Sequence, residues 1–302
     1  MFNKLKIYFK KIQRKIGGKF RRYSVTVNPK FYRPSSSPFI SGDTFRKEAK
    51  FIFDETQTFN PLHVKDNDLV FVKSDLIEIY FKIIHPKVNS KYILISHNSD
   101  KTIGLSEIEL ADEKVIHWFA QNLSINNNEK FTSIPIGFEN RRYLNNGKLK
   151  NLKKVQNLKV IKKNKILSSY NSATNFDLRN NLDKITKNID FIDKKLFDTP
   201  YEYLVNLNHY KFVLSPEGNG LDTHRIWEGL LTKTIPIVKK SDFSKNFHNL
   251  NIPILLIDNW SELKDFDEEK INMLYEDFIS FEFSKFIKKE FWNNMINKKT
   301  AG

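Results

Sequence analysis

Short apolar runs that alternate with amphipathic stretches make up most of this chain. An apolar run of four or five residues bounded by polar residues predicts a strand, and apolar positions spaced by three and four predict a helix. We expect apolar strands, or in places short helices, at residues 68–72, 92–95, 115–119, 132–136, 166–169, 211–214, 235–238 and 253–257. We expect helices that begin at Asp43 or Thr44, at 76–84, at 175–188 and at 200–208, and two more after Trp260. Strands separated by helices are typical of an α/β fold with a largely parallel sheet.

The length and the distribution of polar residues predict two compact domains. With 302 residues, the chain exceeds the usual size of a single domain. Residues 145–165 form the most polar internal stretch and contain no acid, so we place the domain boundary there. The expected organisation is a basic segment at 1–22, an α/β domain at 23–150, a second α/β domain at 151–285, and the end of a C-terminal helix with a tail at 286–302.

The first 22 residues predict a basic amphipathic helix. They contain nine lysines and arginines and no acid, and an apolar residue recurs at helical spacing at Phe2, Leu5, Phe9, Ile12 and Ile16. A helix of this kind lies on an anionic bilayer, with its lysines at the headgroups. The alternatives are a solvated basic tail and a helix that packs on its own domain.

Composition excludes several classes of function. The chain has no cysteine, which excludes disulfides and thiol nucleophiles and fits a reducing, cytoplasmic setting. No apolar run is long enough to predict a membrane span. The net charge of +15 suggests a polyanionic partner, but only nine of the 50 basic residues are arginine, the side chain that nucleic-acid readers favour. We therefore expect no nucleic-acid partner, and a nucleic-acid-binding module without catalytic activity is the alternative.

The stretch LSPEGNGLDTHRIWEGLLTKTIPIV, residues 214–238, predicts an anion site at the end of a strand. A buried strand runs into a glycine-containing loop, and Asp222 or Thr223 is placed to cap the helix that follows. Arg225 and Glu228 are three residues apart and share the helix face opposite the apolar one. The helix N-terminus and Arg225 would stabilise a diphosphate, and Glu228 would accept hydrogen bonds from a ribose. The alternative is an exposed ion pair without a function.

This segment resembles the C-terminal signature of exostosin-like glycosyltransferases, the family 47 type with its bacterial relatives. The matching residues are Ser215, Pro216, Gly218, Asp222, Arg225, Glu228 and the run 235–238. The stretches FISGDTFRK, YILISHNSD, WFAQN and IPIGFEN resemble the N-terminal half of bacterial members, so the likeness covers most of residues 39–258. The chain departs from the pattern at 232–234, where Thr-Lys-Thr replaces a small residue and a glycine.

The resemblance implies a GT-B fold, in which two Rossmann-like domains face each other across a cleft. It implies a nucleotide-sugar donor that the C-terminal domain binds, without a metal or another cofactor. Arg225 is expected to stabilise the departing nucleotide. The expected donor contacts are Ser215, Gly218, Asn219, Gly220, His224, Arg225 and Glu228.

Polar side chains that follow the N-terminal strands are the candidates for the general base. His97 and Asp100 come directly after a predicted strand, and we expect one of them to deprotonate the acceptor hydroxyl. A lone histidine at a strand end is also commonly structural. Glu139 is the other candidate for the base, and Asp43, Asn98 and Glu139 are expected to line the acceptor side of the cleft.

The resemblance implies an inverting, metal-independent hexosyltransferase of surface-polysaccharide synthesis. The expected acceptor is a glycan or a lipid-linked sugar. Residues 1–22 would hold the protein at the cytoplasmic face of the inner membrane. A phosphate-ester enzyme that uses the same anion site is a third hypothesis.

Overall fold

The computed structural model describes residues 33–143 and 145–300, which form two five-stranded parallel sheets. The N-terminal sheet contains strands β1 to β5, at Phe51–Phe53, Leu69–Lys73, Tyr92–His97, Val115–Ala120 and Phe131–Ser133. The C-terminal sheet contains strands β6 to β10, at Lys163–Ser168, Ile192–Lys194, Tyr210–Leu214, Ile235–Lys239 and Leu255–Ile257. Every strand pair in both sheets is parallel, so the α/β prediction is confirmed.

Helices connect the strands and cover the sheets. The N-terminal half contains α1 (Gly42–Glu48), α2 (Ile77–Ile83) and α3 (Leu105–Ile108). The C-terminal half contains α4 (Leu149–Gln156), α5 (Phe176–Thr186), α6 (Pro200–Leu207), α7 (His224–Leu231), α8 (Asp242–His248), α9 (Glu268–Glu276), α10 (Phe283–Phe286) and α11 (Lys289–Thr300). Short 3-10 helices lie at Pro61–His63, Ser74–Leu76, His85–Lys87 and Trp260–Asp265. Among the helices described, none has the length and apolar character that crossing a bilayer requires.

The N-terminal sheet is buried on both faces. Successive side chains along its strands point alternately into two hydrophobic cores. In β3, Ile93 and Ile95 join the main hydrophobic core, whereas Tyr92 and Leu94 join a smaller core on the opposite face. Phe45 of α1 packs in the main core. Because both faces are covered, these strands are continuous apolar runs, which is why the sequence reveals them.

The C-terminal sheet has a point where the strand order reverses. Its order is β10-β9-β8-β6-β7, so the chain leaves β6 toward one edge and later returns to β8 on the other side of β6. The loops after β6 and β8 therefore diverge and leave a crevice between them. Open parallel sheets bind their ligands at such a crevice, outside the carboxyl ends of the strands.

The last helix joins the two halves of the molecule. Trp292 of α11 is fully buried and packs edge-on against Trp227 of α7, with ring centres 6.1 Å apart. On the other side, the Lys289 backbone N–H donates to the Pro38 carbonyl at 2.9 Å, and its Nζ pairs with Glu48 at 2.8 Å. The sequence predicts a helix end and a tail at 286–302, whereas 289–300 form a helix that contacts both halves.

Helix α4 lies across the predicted domain boundary at residue 150. Its apolar residues Leu152 and Val155 are buried, and the lysines around them remain exposed. Three of the eight residues of α4 are lysines, so the segment is polar on average and its apolar face was not predicted. The basic helix predicted at 1–22 lies outside the residues that the structure describes.

Local backbone geometry differs from the sequence prediction at two turns. Ser41 caps α1 by accepting a hydrogen bond from the Thr44 N–H, a role that the sequence assigned to Asp43 or Thr44. Lys233, within the 232–234 stretch that departs from the resembling family, takes a left-handed φ of 54°. The Thr234 N–H still donates to the Gly229 carbonyl at 2.9 Å, so the turn into β9 remains tight.

Candidate active site

Buried polar atoms without partners collect at the crevice of the C-terminal sheet. Ser168 ends β6, Ser215 follows β8 and Thr223 precedes α7, and the hydroxyl oxygen of each is buried without a hydrogen-bond partner. The hydroxyl of Tyr203 on α6 and Nη1 of Arg225 on α7 are also buried and unpartnered. Each such atom costs about 1–3 kcal/mol unless a ligand or a water satisfies it. This concentration indicates a binding site.

Arg225 lies in the first turn of α7 and reaches back to the loop after β6. Its Nε donates to the Ser169 carbonyl at 3.0 Å, and its guanidinium lies 5.9 Å from the centre of the Tyr170 ring. It forms no ion pair with any described carboxylate, including Glu228 three residues further on. The helix start and a guanidinium with a free Nη1 therefore meet at the crevice, as the sequence predicts.

Arg179 of α5 is a site residue that the sequence analysis missed. Its side chain is buried and donates to three backbone carbonyls, those of Asn171 at 2.9 Å, Glu217 at 2.9 Å and Pro216 at 3.3 Å. A Cβ at Gly218 would lie 3.2 Å from Nη2 of Arg179, so glycine lets the loop approach closely. Arg179 therefore fixes the 215–218 loop at the crevice.

The two guanidiniums make the crevice strongly positive. Arg179 lies 5.5 Å and Arg225 lies 5.9 Å from the Tyr170 ring centre. Burial and the charge of Arg225 lower the pKa of Arg179 to about 10. Within residues 33–143 and 145–300, neither guanidinium has a carboxylate partner. Because a buried charge without a counter-ion is unfavourable, the crevice favours an anionic ligand.

Glu228 lies one helical turn beyond Arg225 and is half-buried. Burial raises the pKa of Glu228, and the positive charges of His224 and Arg225 oppose that rise. Its charge and that of Arg225 both act on the Tyr203 hydroxyl, which places the three side chains together. A carboxylate beside an anion site is positioned to accept hydrogen bonds from ribose hydroxyls.

The loop that precedes α7 reaches across to the N-terminal half. The Asp222 backbone N–H donates to Asn122 Oδ1 at 2.9 Å, and Asp222 Oδ2 accepts from the Ile136 N–H at 2.7 Å. The Trp227 indole N–H also donates to this carboxylate, at 3.0 Å to Oδ2. Burial raises the pKa of Asp222 to about 7, against these hydrogen bonds. Asp222 therefore connects the helix of the crevice to the other half.

Two predicted donor contacts in this loop touch the opposite half of the protein. A Cβ at Gly220 would lie 2.6 Å from Nδ2 of Asn122, so glycine is required for the close approach. Asn219 Nδ2 donates to Asp100 at 3.3 Å. The loop thus divides: Ser215 and Gly218 face the crevice, whereas Asn219 and Gly220 contact the N-terminal half.

A cleft of ≈ 810 Å³ is lined by residues of the N-terminal half and, from the C-terminal half, by His224. Residues after β3, the segment 136–143 and His224 line it. The lining is mostly polar, with side chains of Asp75, Asn98, Ser99, Asp100, Lys101, Gln121, Glu139, Asn140 and Arg142. The structure therefore brings His97, Asn98, Asp100, Glu139 and His224 together, although they are far apart in the sequence.

His97 is buried in the cleft wall, and both of its ring nitrogens are engaged. Its Nε2 donates to the Pro135 carbonyl at 2.9 Å, so Nδ1 is the acceptor in the neutral ring and lies 2.6 Å from the Asn98 N–H. Burial lowers the pKa of His97 to about 4. This geometry favours a structural role for His97. Of the two predicted bases, Asp100 is the one that is exposed to the cleft.

Asp43 lies beneath the cleft in a buried network of charges and amides. Its Oδ1 accepts from Arg33 at 3.2 Å and from Asn98 Nδ2 at 3.1 Å, and its backbone N–H donates to Asn140 Oδ1 at 2.7 Å. Burial raises the pKa of Asp43 to about 6, although Arg33 lowers it. Asp43 is fully buried, so it acts on the cleft through Asn98 and Asn140 and not by direct contact.

His224 and Glu139 approach each other in the cleft from different halves. His224 Nδ1 donates to the Gly137 carbonyl at 2.6 Å, which leaves Nε2 free at 3.9 Å from Glu139 Oε2. Burial lowers the pKa of His224, but the carboxylates of Glu139 and Glu228 outweigh it and the pKa is raised. The two carboxylates therefore favour the protonated form of this imidazole.

Comparison with known proteins gives distant similarities. No family model and no curated protein matches this chain. It is similar to α,α-trehalose-6-phosphate synthase from Burkholderia multivorans, with 8% identity, a TM-score of 0.45 and coverage of 78% of this chain and 72% of that chain. It is also similar to the pneumococcal O-GlcNAc transferase GtfA, solved with UDP and GlcNAc, with 11% identity, a TM-score of 0.37 and coverage of 80% and 58%.

Similarity at this level assigns neither a family nor an activity, and the exostosin-like resemblance stays a prediction. The two five-stranded parallel sheets observed here agree with the α/β part of what this resemblance implies. In the residues that the structure describes, no cluster of His, Asp and Glu is arranged to hold a metal ion. Independence from metals also stays a prediction.

Proposed function

We propose that this protein is a glycosyltransferase that takes its sugar from a nucleotide-sugar donor. The observation that carries the proposal is the crevice of the C-terminal sheet, where Arg179 and Arg225 lack counter-ions and five buried polar atoms lack partners. A sugar nucleotide has the complementary chemistry: a diphosphate for the guanidiniums and ribose hydroxyls for Glu228.

In the proposed reaction, the crevice binds the diphosphate and the cleft binds the sugar. The diphosphate would lie at the N-terminus of α7, where backbone amides and Arg225 stabilise the charge that develops as the nucleotide departs. His224, with its free Nε2, would contact the same group or the transferred sugar. The sugar would extend into the cleft toward Asp100 and Glu139.

In the proposed reaction, Asp100 accepts the proton of an acceptor hydroxyl. The hydroxyl oxygen then bonds to the anomeric carbon as the bond to the nucleotide diphosphate breaks, and the electron pair leaves with the diphosphate. A single displacement of this kind inverts the anomeric centre. The polar cleft lining, with Asn98 and Asn140 held by Asp43, suits the hydroxyls of a sugar acceptor.

The finer parts of the proposal rest on the sequence. We infer a hexosyltransferase, exostosin-like, that acts without a metal on a glycan or lipid-linked acceptor in surface-polysaccharide synthesis. Residues 1–22 would hold it peripherally at the cytoplasmic side of the inner membrane.

Calorimetric titration with UDP, GDP and CMP tests the donor site directly. We expect one of them to bind and Arg225→Ala to weaken that binding about 10- to 100-fold, because a charge-assisted hydrogen bond is lost. The matched control is Arg141→Ala, which removes an exposed guanidinium bonded to the Ser35 carbonyl. If no nucleotide binds, the proposal is wrong; if inorganic pyrophosphate binds as tightly as any nucleotide, the phosphate-ester hypothesis replaces it. A panel of sugar nucleotides, read by released nucleotide, then identifies the donor.

A further inference from the structure

Helix α4 and the segment after it present an exposed cationic surface, here called the α4 surface and defined as residues 148–163. Its exposed basic side chains are Lys148, Lys150, Lys153, Lys154, Lys159 and Lys163. Residues 145–165 contain no acid. Within the described part of the chain, no ion pair involves any of these lysines, whereas Lys165, just beyond them, pairs with Asp193 at 3.1 Å. Their charge is therefore available to an external partner.

The packing of α4 fixes the direction of this charge. Lys150, Lys153 and Lys154 have helical spacings of three and four and share one face of the helix. Leu152 and Val155 are buried on the other side, so the helix cannot turn its lysines inward without exposing its apolar residues. The three lysines line a shallow depression of ≈ 410 Å³ together with Leu149 and Asn157. That depression is large enough for a phosphate-bearing headgroup.

Apolar side chains stand among the lysines of the α4 surface. Ile161 is 94% exposed and Leu158 is 40% exposed. Tyr201 of the neighbouring helix α6 is 37% exposed, and Lys154 Nζ lies 6.0 Å from its ring centre. Cationic side chains that surround exposed aliphatic and aromatic groups are typical of surfaces that lie in the headgroup region of a bilayer.

The α4 surface is tied to the wall of the cleft. Tyr143 lines the cleft, and the Gly147 N–H donates to the Tyr143 carbonyl at 2.8 Å. A Cβ at Gly147 would lie 2.3 Å from the Asn140 carbonyl oxygen, so the turn packs directly on the segment that carries cleft residues. A partner on the α4 surface is thus held beside the cleft.

We propose that the α4 surface docks on an anionic lipid bilayer, with its lysines at the headgroups and Ile161 inserted beneath them. The positive charge of the surface favours an anionic partner. The exposed Ile161 and Leu158 favour a partner with an apolar interior, and this excludes a nucleic acid in favour of a lipid bilayer. This surface, residues 148–163, does not include residues 1–22. One consequence rests on the proposed function: a lipid-linked acceptor would reach the cleft from the same bilayer.

Co-sedimentation of the full chain with vesicles tests the docking. The vesicles contain phosphatidylcholine with about one third phosphatidylserine, and the variant combines Lys150→Gln, Lys153→Gln, Lys154→Gln and Lys159→Gln. A lysine near an anionic surface contributes up to about fivefold in partitioning, so we expect at least a tenfold loss of binding. The control combines Lys65→Gln, Lys82→Gln, Lys87→Gln and Lys91→Gln, four exposed lysines of the N-terminal half with the same total charge. It should lose about twofold or less.

Three results would overturn the docking proposal. The first is an equal loss of vesicle binding in the two variants, which would mean that net charge alone drives binding. The second is no loss of vesicle binding in the α4 variant. The third is an α4 variant that loses binding to single-stranded RNA but retains binding to vesicles. A separate Ile161→Ser variant should weaken vesicle binding at high salt, where charge is screened. Nucleotide titration of the α4 variant should match the unmodified protein, so failure of the docking proposal and failure of the proposed function are distinguishable.

Discussion

The carboxylate of Asp222 accepts the backbone N–H of Ile136 at 2.7 Å, across the boundary between the two halves of the protein. Asp222 directly precedes Thr223, the residue before α7, and Ile136 lies in the cleft wall. The same carboxylate accepts from Trp227 at 3.0 Å, and Trp227 packs against α11 through Trp292. One buried side chain therefore sets the position of the crevice helix relative to the cleft.

Replacing Asp222 tests this connection. Asp222→Ala leaves two buried donors, Ile136 N–H and the Trp227 indole, without an acceptor, and we expect a loss of about 3 kcal/mol in the free energy of unfolding. Asp222→Asn keeps one oxygen for both donors and should lose less than half of that. Urea unfolding of the two variants measures the difference. Equal losses would show that the carboxyl oxygen does not make the connection.

Asp222 also predicts a change of stability with pH. Its pKa is raised from about 3.8 to about 7 by burial, so the contribution of its protonated form is complete below pH 3.8 and is lost as the pH rises to 7. In Asp222→Asn this loss cannot occur. The stability of the variant relative to the unmodified protein should therefore increase between pH 4 and 7; a constant difference across that range would contradict the assignment.

His97 predicts the opposite slope in the acid range. Its pKa falls from the ordinary value of about 6.5 to about 4 on folding, so the unfolded chain binds the proton first as the pH falls. The stability from neutral His97 is complete above pH 6.5 and is lost between 6.5 and 4, by about 3 kcal/mol at most. His97→Gln, which keeps an N–H for the Pro135 carbonyl, should flatten that decline. His63→Gln, in an exposed 3-10 helix, is the control for the removal of a histidine from the chain.

Much of the fold is predictable from the sequence because strands buried on both faces are continuous apolar runs. Strands β3, β4, β8 and β9 appear in the sequence within one or two residues of their observed bounds. Strands β1 and β7 are absent from the prediction; β1 has no buried residue and β7 has only Ile192, so neither is a buried apolar run. The reversal of strand order, which creates the crevice, is a property of long-range pairing that local pattern does not contain.

The candidate site is predictable only in part for the same reason. Arg225 and Glu228 are predictable because they lie three residues apart on one helix and therefore share a face. Arg179 belongs to another helix, and its importance depends on loops 215–218 and 168–171 meeting beside it. Its one available signal is that it is among only nine arginines in a lysine-rich chain. His97 and Asp43 are distinguished from exposed catalytic groups by burial, which a single sequence does not report.

Substitution of Glu228 tests whether this carboxylate binds the ribose, and not the diphosphate, in the proposed donor site. Glu228→Gln removes the charge but keeps the size, so we expect nucleoside diphosphate affinity to fall about tenfold, as for one charged hydrogen bond. Affinity for inorganic pyrophosphate, which has no ribose, should stay the same or rise because a nearby negative charge is gone. Calorimetry with both ligands decides the matter. A parallel loss for both would place Glu228 in the support of the anion site.

Gly42 tests the packing beneath the cleft. A Cβ there would lie 1.8 Å from Asn98 Oδ1 and 2.6 Å from His97 Nδ1. Gly42→Ala must displace Asn98 from Asp43 and Asn140, and we expect destabilisation of about 1–3 kcal/mol. Gly104→Ala is the matched control, because its nearest neighbour is a serine hydroxyl at 3.1 Å. Thermal unfolding of the two variants compares them, and similar losses would exclude the specific clash.

Deletion of residues 1–22 tests their proposed membrane role. The truncated protein should keep its nucleotide affinity and lose part of its binding to anionic vesicles, since nine of the positive charges are removed. The binding that remains should disappear when the α4 lysines are also neutralised. Vesicle binding that is unchanged by the deletion would remove these residues from the membrane proposal.

Helix α11 contacts both halves of the protein and so affects their relative position. It packs against α7 through Trp292 and bonds to the N-terminal half through Lys289, so its position helps to set the separation between the crevice and the cleft. A bulky tag or a truncation at this end would change that distance without touching any residue of the site. On the proposed function, substitutions within residues 289–300 should therefore lower turnover by changing that separation.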